Sequence, residues 1–245
     1  MPDASVAVIG AGDYIGAAIS RRFAREGYVV FAGRRDGAKL APLQDAIRAE
    51  GGRCEAVALD ARKEDEVCSF LAAAEHAAPL AACIFNIGGN VRFPLTQTTE
   101  RVFRKVWEMG CYAGFLCGRE AARWMRPRGQ GSLFFTGATA SLRGGSGYAA
   151  FAAAKFGLRG MAQAMARELG PEGIHVAHLV IDAGVDTAFV RERIRLTGGE
   201  AALSRLQPDQ LMRPQAIAEV YWQLHTQPRD AWTFELDLRP YMEPW

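Results

Sequence analysis

The chain is 245 residues long, 49% apolar and 23% charged, with a net charge of +2 and its acids and bases interspersed. That balance fits one soluble α/β domain and leaves no electrostatic case for nucleic acid or an acidic surface as partner. No apolar run approaches the roughly 20 residues that cross a bilayer. The N-terminus enters a strand with no basic-then-apolar leader, so no membrane partner and a cytoplasmic location are expected.

Ser5–Ile9 is a short apolar run ending at Gly10, the pattern of a buried parallel strand. From Ile15 the period becomes helical. Ile15, Ala18, Ile19 and Phe23 share one face, Arg21, Arg22, Arg25 and Glu26 the other, and Gly27 closes the helix. Tyr28–Ala32 is the next strand, and the helix after it has Leu40, Leu43 and Ile47 as its stripe. Glu55–Leu59 is a third strand, Glu64–Ala74 a third helix and Ala82–Phe85 a fourth strand, running into Gly88, Gly89 and Asn90. A long helix is predicted over Thr99–Met125, ahead of Pro127. Ser132–Thr136 is a fifth strand. A glycine-rich stretch to Gly147 then leads into a helix through Leu169, stopped by Gly170 and Pro171. His175–Ile181 is a sixth strand, Thr187–Met212 an irregular helical segment, Pro214–His225 a helix and Trp232–Leu238 a last strand.

Strands alternating with helices of more than ten residues predict a single domain over 1–245, built on a doubly wound parallel sheet of about seven strands with helices on both faces. Ligands of such sheets bind outside the carboxyl ends of the strands. That edge collects Gly10–Gly16, Gly33–Arg35, Asp60, Asn86–Asn90, Gly137–Ser141 and Asp182–Thr187. The five cysteines are odd in number and none has C-x-x-C spacing, which suits free thiols in a reducing compartment. No His/Cys/Asp/Glu cluster has metal-ligand spacing.

The first strand-to-helix turn is Gly10-Ala11-Gly12-Asp13-Tyr14-Ile15-Gly16. Glycines there permit positive φ and the close approach of a pyrophosphate to backbone N–H groups at a helix N-terminus. At the end of the second strand, the acid that would accept the ribose 2′-hydroxyl of NAD is missing. Gly33-Arg34-Arg35 stands there instead, and two guanidinium groups suit a 2′-phosphate. Asp60 is placed either to accept a hydrogen bond from an adenine amino group or to cap the next helix.

In order and spacing these features resemble the short-chain dehydrogenase/reductase family over nearly the whole chain, and so imply a Rossmann-like fold. The family's T-G-x-x-x-G-[IL]-G matches Ile9 to Gly16, with Tyr14 replacing the middle glycine. Its N-N-A-G matches Phe85-Asn86-Ile87-Gly88 and its Y-x-x-x-K falls on Phe151-Ala152-Ala153-Ala154-Lys155. Thr187 lies close to the family's cofactor-binding Thr. The resemblance thus implies NADP(H), in preference to NAD(H), held by Gly10, Gly12, Tyr14, Ile15, Gly16, Arg34, Arg35, Asp60, Asn86, Gly88, Lys155 and Thr187. Tyr14 either packs under the turn or narrows the site, and Asp13 adds an unfavourable negative charge near bound phosphates.

The family's catalytic residues carry over poorly. Its Tyr position is Phe151, its Ser position Ala138 and its Asn position Gly110; of the four, Lys155 alone survives. This pattern resembles an atypical branch with Phe in place of Tyr. Hydride addition to a carbonyl leaves an alkoxide, and a positioned acid is worth about 10²–10⁴-fold there. Three replacements are open: the phenol of Tyr148, one helical turn before Phe151; Lys155 itself; or a hydroxyl of Thr139 or Ser141. Asp182 either caps the following segment or accepts a proton, and His178 reads as a core histidine. The segment 188–212 lies where the family's substrate-covering helices sit, and its apolar and basic mix (Phe189, Val190, Ile194, Arg191, Arg193, Arg195) suits either a negatively charged substrate or a solvated amphipathic lid. The aromatic tail 239–245 is expected to pack on its own or a neighbouring subunit.

Three functions compete. The first is an NADP(H)-binding oxidoreductase acting on a small carbonyl, imine or enone through a rearranged proton donor. The second is a nucleotide-binding pseudoenzyme, and the third a non-redox enzyme reusing the cofactor cavity. Resemblance also implies a homodimer or homotetramer built on the two long helices.

Overall fold

The apolar runs become strands because helices cover both of their faces. The computed structural model describes residues 3–243. In it β1 (Ser5–Ile9), β2 (Val29–Arg34), β3 (Arg53–Ala58), β4 (Leu80–Phe85), β5 (Gly131–Thr136), β6 (Ile174–Ile181) and β7 (Glu235–Leu238) form one sheet. Every pairing is parallel, in the order β3-β2-β1-β4-β5-β6-β7. The chain starts at the centre, winds out to β3, returns to β4 beside β1 and winds the other way to β7. The reversal between β1 and β4 opens a crevice at their carboxyl ends.

The helices are α1 (Ile15–Arg25), α2 (Ala41–Ala49), α3 (Glu64–Ala77), α4 (Glu100–Trp107), α5 (Ala113–Met125), α6 (Ala149–Leu169), α7 (Ala188–Ser204) and α8 (Pro214–His225). Strand residues alternate between two cores, as a period of two requires. Val6, Val8 and Phe134 pack with α1, α2 and α8, while Ala7, Ile9, Leu133 and Phe135 pack with α3, α5 and α6. Because both faces are covered, β6 is buried at all of its positions.

Four sequence expectations change in detail. The helix expected over Thr99–Met125 is continuous but not uniform: a π-turn at Glu108–Tyr112 separates α4 from α5. Thr99 is the cap of α4, its hydroxyl accepting from the Val102 N–H. Gly110 sits inside the π-turn, pressed on α6, where a Cβ would lie 3.0 Å from that of Ala154. The segment Thr187–Met212 is helical only to Ser204 and breaks at Gly199, whose φ is 72°. Pro208 lacks an N–H and Asp209 adopts φ 62°, so the chain turns back. Met212 then pairs with Val185, and its N–H donates to the Gly184 carbonyl at 3.0 Å.

The last strand starts at Glu235, not Trp232, because the residues before it are engaged elsewhere. Trp232 stacks on His175 with ring centroids 4.9 Å apart, and Thr233 exchanges two hydrogen bonds with Gln227. The third strand starts at Arg53, two residues early, in register with Val29. In the tail, Tyr241 is 77% exposed; Pro244 and Trp245 lie outside the described residues. Among the described residues no helix is long and apolar enough to cross a membrane, and no His/Cys/Asp/Glu group could hold a metal.

Candidate active site

The glycine turn is built by close approach. Gly10 has φ 91°, and a Cβ there would fall 2.6 Å from the Asn86 carbonyl oxygen. A Cβ on Gly16 would fall 2.4 Å from the Gly10 oxygen. Neither position accepts a side chain. A Cβ on Gly12 would meet nothing within 4 Å, because that residue faces open space. Ile15 packs against the core beneath α1. Tyr14 is 38% exposed and does not tuck under the turn. Its ring reaches across to α7, and its hydroxyl accepts from the Ala188 N–H at 2.9 Å. Next to it Thr187 caps α7, accepting from the Val190 N–H at 3.1 Å. The glycine turn and the start of α7 are therefore tied together by one phenol.

A cavity of about 550 Å³ runs along the carboxyl ends of β1, β2 and β4. Gly10, Gly12, Arg34, Arg35, Asp60 and Gly88 all line it. Arg34 donates to Asp13 at 2.8 Å, so the acid expected to oppose phosphates is partly neutralised. Arg35 has no ion-pair partner among the described residues. Lys39 and Arg62 add two more cations to the walls. Asp60 does not cap α3, whose cap residue is Lys63. It is gripped by Arg62 through bonds of 2.8 and 2.5 Å, and that guanidinium holds its carboxyl below the usual range.

Asn86 stands in a relay unforeseen from the sequence. The Tyr221 and Thr136 hydroxyls lie 2.6 Å apart, Thr136 donates to Asn86 Oδ1 at 3.0 Å, and Asn86 Nδ2 donates to the Gly10 carbonyl at 3.1 Å. This chain runs from α8 through β5 and β4 to the glycine turn, fixing the crevice floor.

Lys155 rises from α6 into the same region and is 2% exposed. Its ammonium donates to the Thr136 carbonyl at 2.7 Å and the Ile87 carbonyl at 3.1 Å. Among the described residues no carboxylate pairs with it, and burial pushes its pKa down to about 8. One turn earlier, Phe151 is buried with Val106, Ala140, Ala150 and Ala154. Ala138, Tyr148 and Val102 pack against that group. The structure thus brings together Lys155, Phe151, Ala138 and Tyr148 around an apolar cluster, with Gly110 in the π-turn just behind it.

The other candidate groups lie in defined surroundings. The Ser141 hydroxyl is fully buried and accepts from the Ala138 N–H at 3.2 Å, while Thr139 opens the same short turn. Tyr148 accepts from Arg193 Nη2 at 3.2 Å, and the Arg92 guanidinium sits 5.8 Å from its ring centroid. Asp182 is buried and held by Arg143 at 3.0 and 3.2 Å and by Arg239 at 2.7 Å. It ties the β5–α6 connection to the C-terminal tail, and is neither a cap nor a free base. His178 is a core histidine with Nδ1 2.9 Å from Glu235, a carboxylate that Arg159 also grips. Burial pushes His178 down to about 4, and its Nε2 is buried with no hydrogen-bond partner.

Three comparisons agree with this architecture. The short chain dehydrogenase family model matches residues 4–195. The chain is 29% identical over 219 residues to the 3-oxoacyl-(acyl-carrier-protein) reductase MabA of Mycobacterium tuberculosis, covering 88% of this chain and 83% of the relative. A crystal structure of a short-chain dehydrogenase from Rhodopseudomonas palustris superposes with a TM-score of 0.85 at 58% identity, covering 98% of this chain and 100% of the other. A metagenomic short-chain oxidoreductase in complex with NADP superposes with a TM-score of 0.79 at 25% identity, covering 98% of each chain. With the parallel sheet, the glycine turn at its switch point and a match across more than three quarters of its length, the chain belongs to the short-chain dehydrogenase family.

Proposed function

We propose that the protein is an NADP(H)-binding oxidoreductase from an atypical branch of its family, in which no proton is delivered from the family's Tyr position. The observation that carries this reading is the apolar cluster around Phe151, beside a Lys155 whose ammonium is spent on two backbone carbonyls. The cavity supports NADP(H) at its adenosine end. Arg35 has no ion-pair partner there among the described residues, Arg34 shares only an exposed acid, and a 2′-phosphate would meet both. The glycine turn offers the close approach that a pyrophosphate needs, once Tyr14 leaves Ala188. A bound nicotinamide supplies hydride; this chain's own residues must orient the acceptor and deal with the charge that develops.

That division restricts the substrate. An iminium ion becomes a neutral amine on accepting hydride and needs no proton. An activated enone becomes an enolate, a far weaker base than an alkoxide. Both classes suit an apolar centre without an acid, and a carbonyl needs one. Tyr148 is the phenol packed against that cluster and is the proton donor we assign for enones and carbonyls. The segment 188–212 covers the small-molecule substrate. We also infer a homodimer or homotetramer through the faces of α4, α5 and α6.

The test is NADPH oxidation over matched ketones, imines and enones. Imine and enone turnover should exceed ketone turnover, and Tyr148→Phe should lower enone turnover more than imine turnover. Absence of turnover on all three classes overturns the reading. A second reading is favoured by the Tyr14–Ala188 bond, which closes the turn over phosphates: a nucleotide-binding protein without turnover. It requires calorimetric NADPH binding that Arg34→Glu abolishes, with no oxidation of the cofactor on any substrate.

A further inference from the structure

We propose that the mouth of the cleft carries an oxyanion site, formed by Arg92 and Arg193 around Tyr148, and that the substrate is an apolar molecule ending in an anionic group. This names the substrate class for the oxidoreductase reading and rests on it.

Three elements distant in sequence converge on Tyr148. Arg92 comes from the β4–α4 connection, Tyr148 from the residue before α6, and Arg193 from α7. The first two are fastened by the Phe93 N–H donating to the Gly147 carbonyl at 2.9 Å. The fit is close: a Cβ on Gly147 would lie 3.0 Å from Cγ of Arg92. Arg193 donates to the Tyr148 hydroxyl at 3.2 Å, and the Arg92 guanidinium lies 5.8 Å from the ring centroid. Neither arginine has a carboxylate partner among the described residues. Their neighbours do: Arg191 pairs with Asp186, Arg195 with Glu192 and Glu200, and Arg143 with the buried Asp182. Local acids are thus taken up, and two exposed cations remain on Tyr148, one over its ring and one at its hydroxyl.

Each guanidinium carries five N–H donors, of which Arg193 uses one on Tyr148. The free forks match the oxygens of a carboxylate or phosphate. Below the ring the surface changes character, since Tyr148 packs on the apolar group that contains Val106, Phe151 and Ala154. A ligand satisfying both layers has an apolar body on that floor and an oxyanion between the arginines. Because Arg193 belongs to α7, such a ligand also holds α7 against the β4–α4 connection.

The test is isothermal calorimetry of the purified protein with 4-phenylbutanoate, its neutral amide 4-phenylbutanamide, and phenethyl phosphate. Adenosine 2′,5′-bisphosphate is present throughout, to fill the basic cavity at Arg34 and Arg35. The acid should bind at least about tenfold more tightly than the amide. That ratio should fall to about one in the Arg92→Gln/Arg193→Gln double variant. In the wild type, which needs no variant to fold, added KCl should weaken the acid and leave the amide unchanged. The tighter of carboxylate and phosphate identifies the headgroup. Equal affinity for acid and amide, or an acid preference that survives in the double variant, overturns the site. Failure of the oxidoreductase reading shows separately, as absence of NADPH oxidation whatever the acid-to-amide ratio.

Discussion

In the function we propose, a benzyl ring at residue 151 and an ammonium at residue 155 set the chemistry of the centre, and each makes a distinct prediction. Phe151 is 7% exposed among aliphatic side chains. Phe151→Tyr alone therefore buries a hydroxyl without a partner and should lower stability by about 1–3 kcal/mol in urea unfolding. Adding Ala138→Ser supplies a neighbouring hydroxyl. The double variant should raise NADPH-dependent ketone reduction by about 10²-fold, at the lower end of what a positioned acid contributes. Lys155 makes a prediction about pH. Its folded pKa is about 8, below the ordinary 10.5, because burial penalises the ammonium. Between those values the unfolded chain keeps a proton that the folded protein has released, so this group's contribution to stability rises with pH. Below about pH 8 both states are protonated and the contribution is flat. The stability of wild type relative to Lys155→Met should thus rise by up to ~3 kcal/mol from pH 8 to pH 10.5. Urea unfolding of both proteins across that range checks the sign. Both residue types are plain in the sequence. What is not plain there is that Lys155 faces two backbone carbonyls, because nothing local places the ends of β4 and β5 against α6.

At the scale of elements, two contacts decide how the site is presented. The first is the Tyr14–Ala188 bond between the glycine turn and α7. Tyr14→Gly removes both the ring and the bond. It should tighten NADPH binding by about tenfold in calorimetry and speed hydrogen exchange at the Ala188 N–H. Tyr14→Phe removes only the hydroxyl and should reproduce the exchange effect with less gain in affinity. The second is the π-turn around Gly110, at the position matched to the family's Asn. Turns of this kind are frequent at functional sites. A branched side chain there meets Ala154 at 3.0 Å or less, so Gly110→Val should cost about 1–3 kcal/mol of stability. The periodicity of Thr99–Met125 marks a long helix but not its wide turn. The hydrophobic repeat survives one inserted residue, and the insertion is a response to packing on α6. Likewise Gly199 and Pro208 are visible breakers, but the return of Met212 to Val185 is a pairing that no local pattern encodes.

For the whole molecule, the two faces of the sheet are covered, yet one outer surface remains apolar. Trp107 and Tyr112 stack with centroids 6.0 Å apart, Tyr112 and Phe115 at 6.4 Å, forming a column along α4 and α5. Trp107 and Phe115 are each about 40% exposed in the single chain. Such a column is costly in water. Light scattering should therefore give the mass of a dimer or tetramer, with Trp107→Glu and Phe115→Glu together shifting it to monomer. The sequence alone determined the alternation of strand and helix, the parallel sheet and the glycine turn at its switch point. Those features rest on local apolar periodicity and on fixed spacing, which are properties of the chain as written. Tertiary structure alone decided where Tyr14 points, that Asp182 is consumed by Arg143 and Arg239, that Asp60 answers to Arg62, and that Arg92 and Arg193 both contact Tyr148. Most of these contacts join residues tens of positions apart. Their geometry is set by how loops of unequal length close over a packed sheet, and no stretch of sequence carries that information by itself.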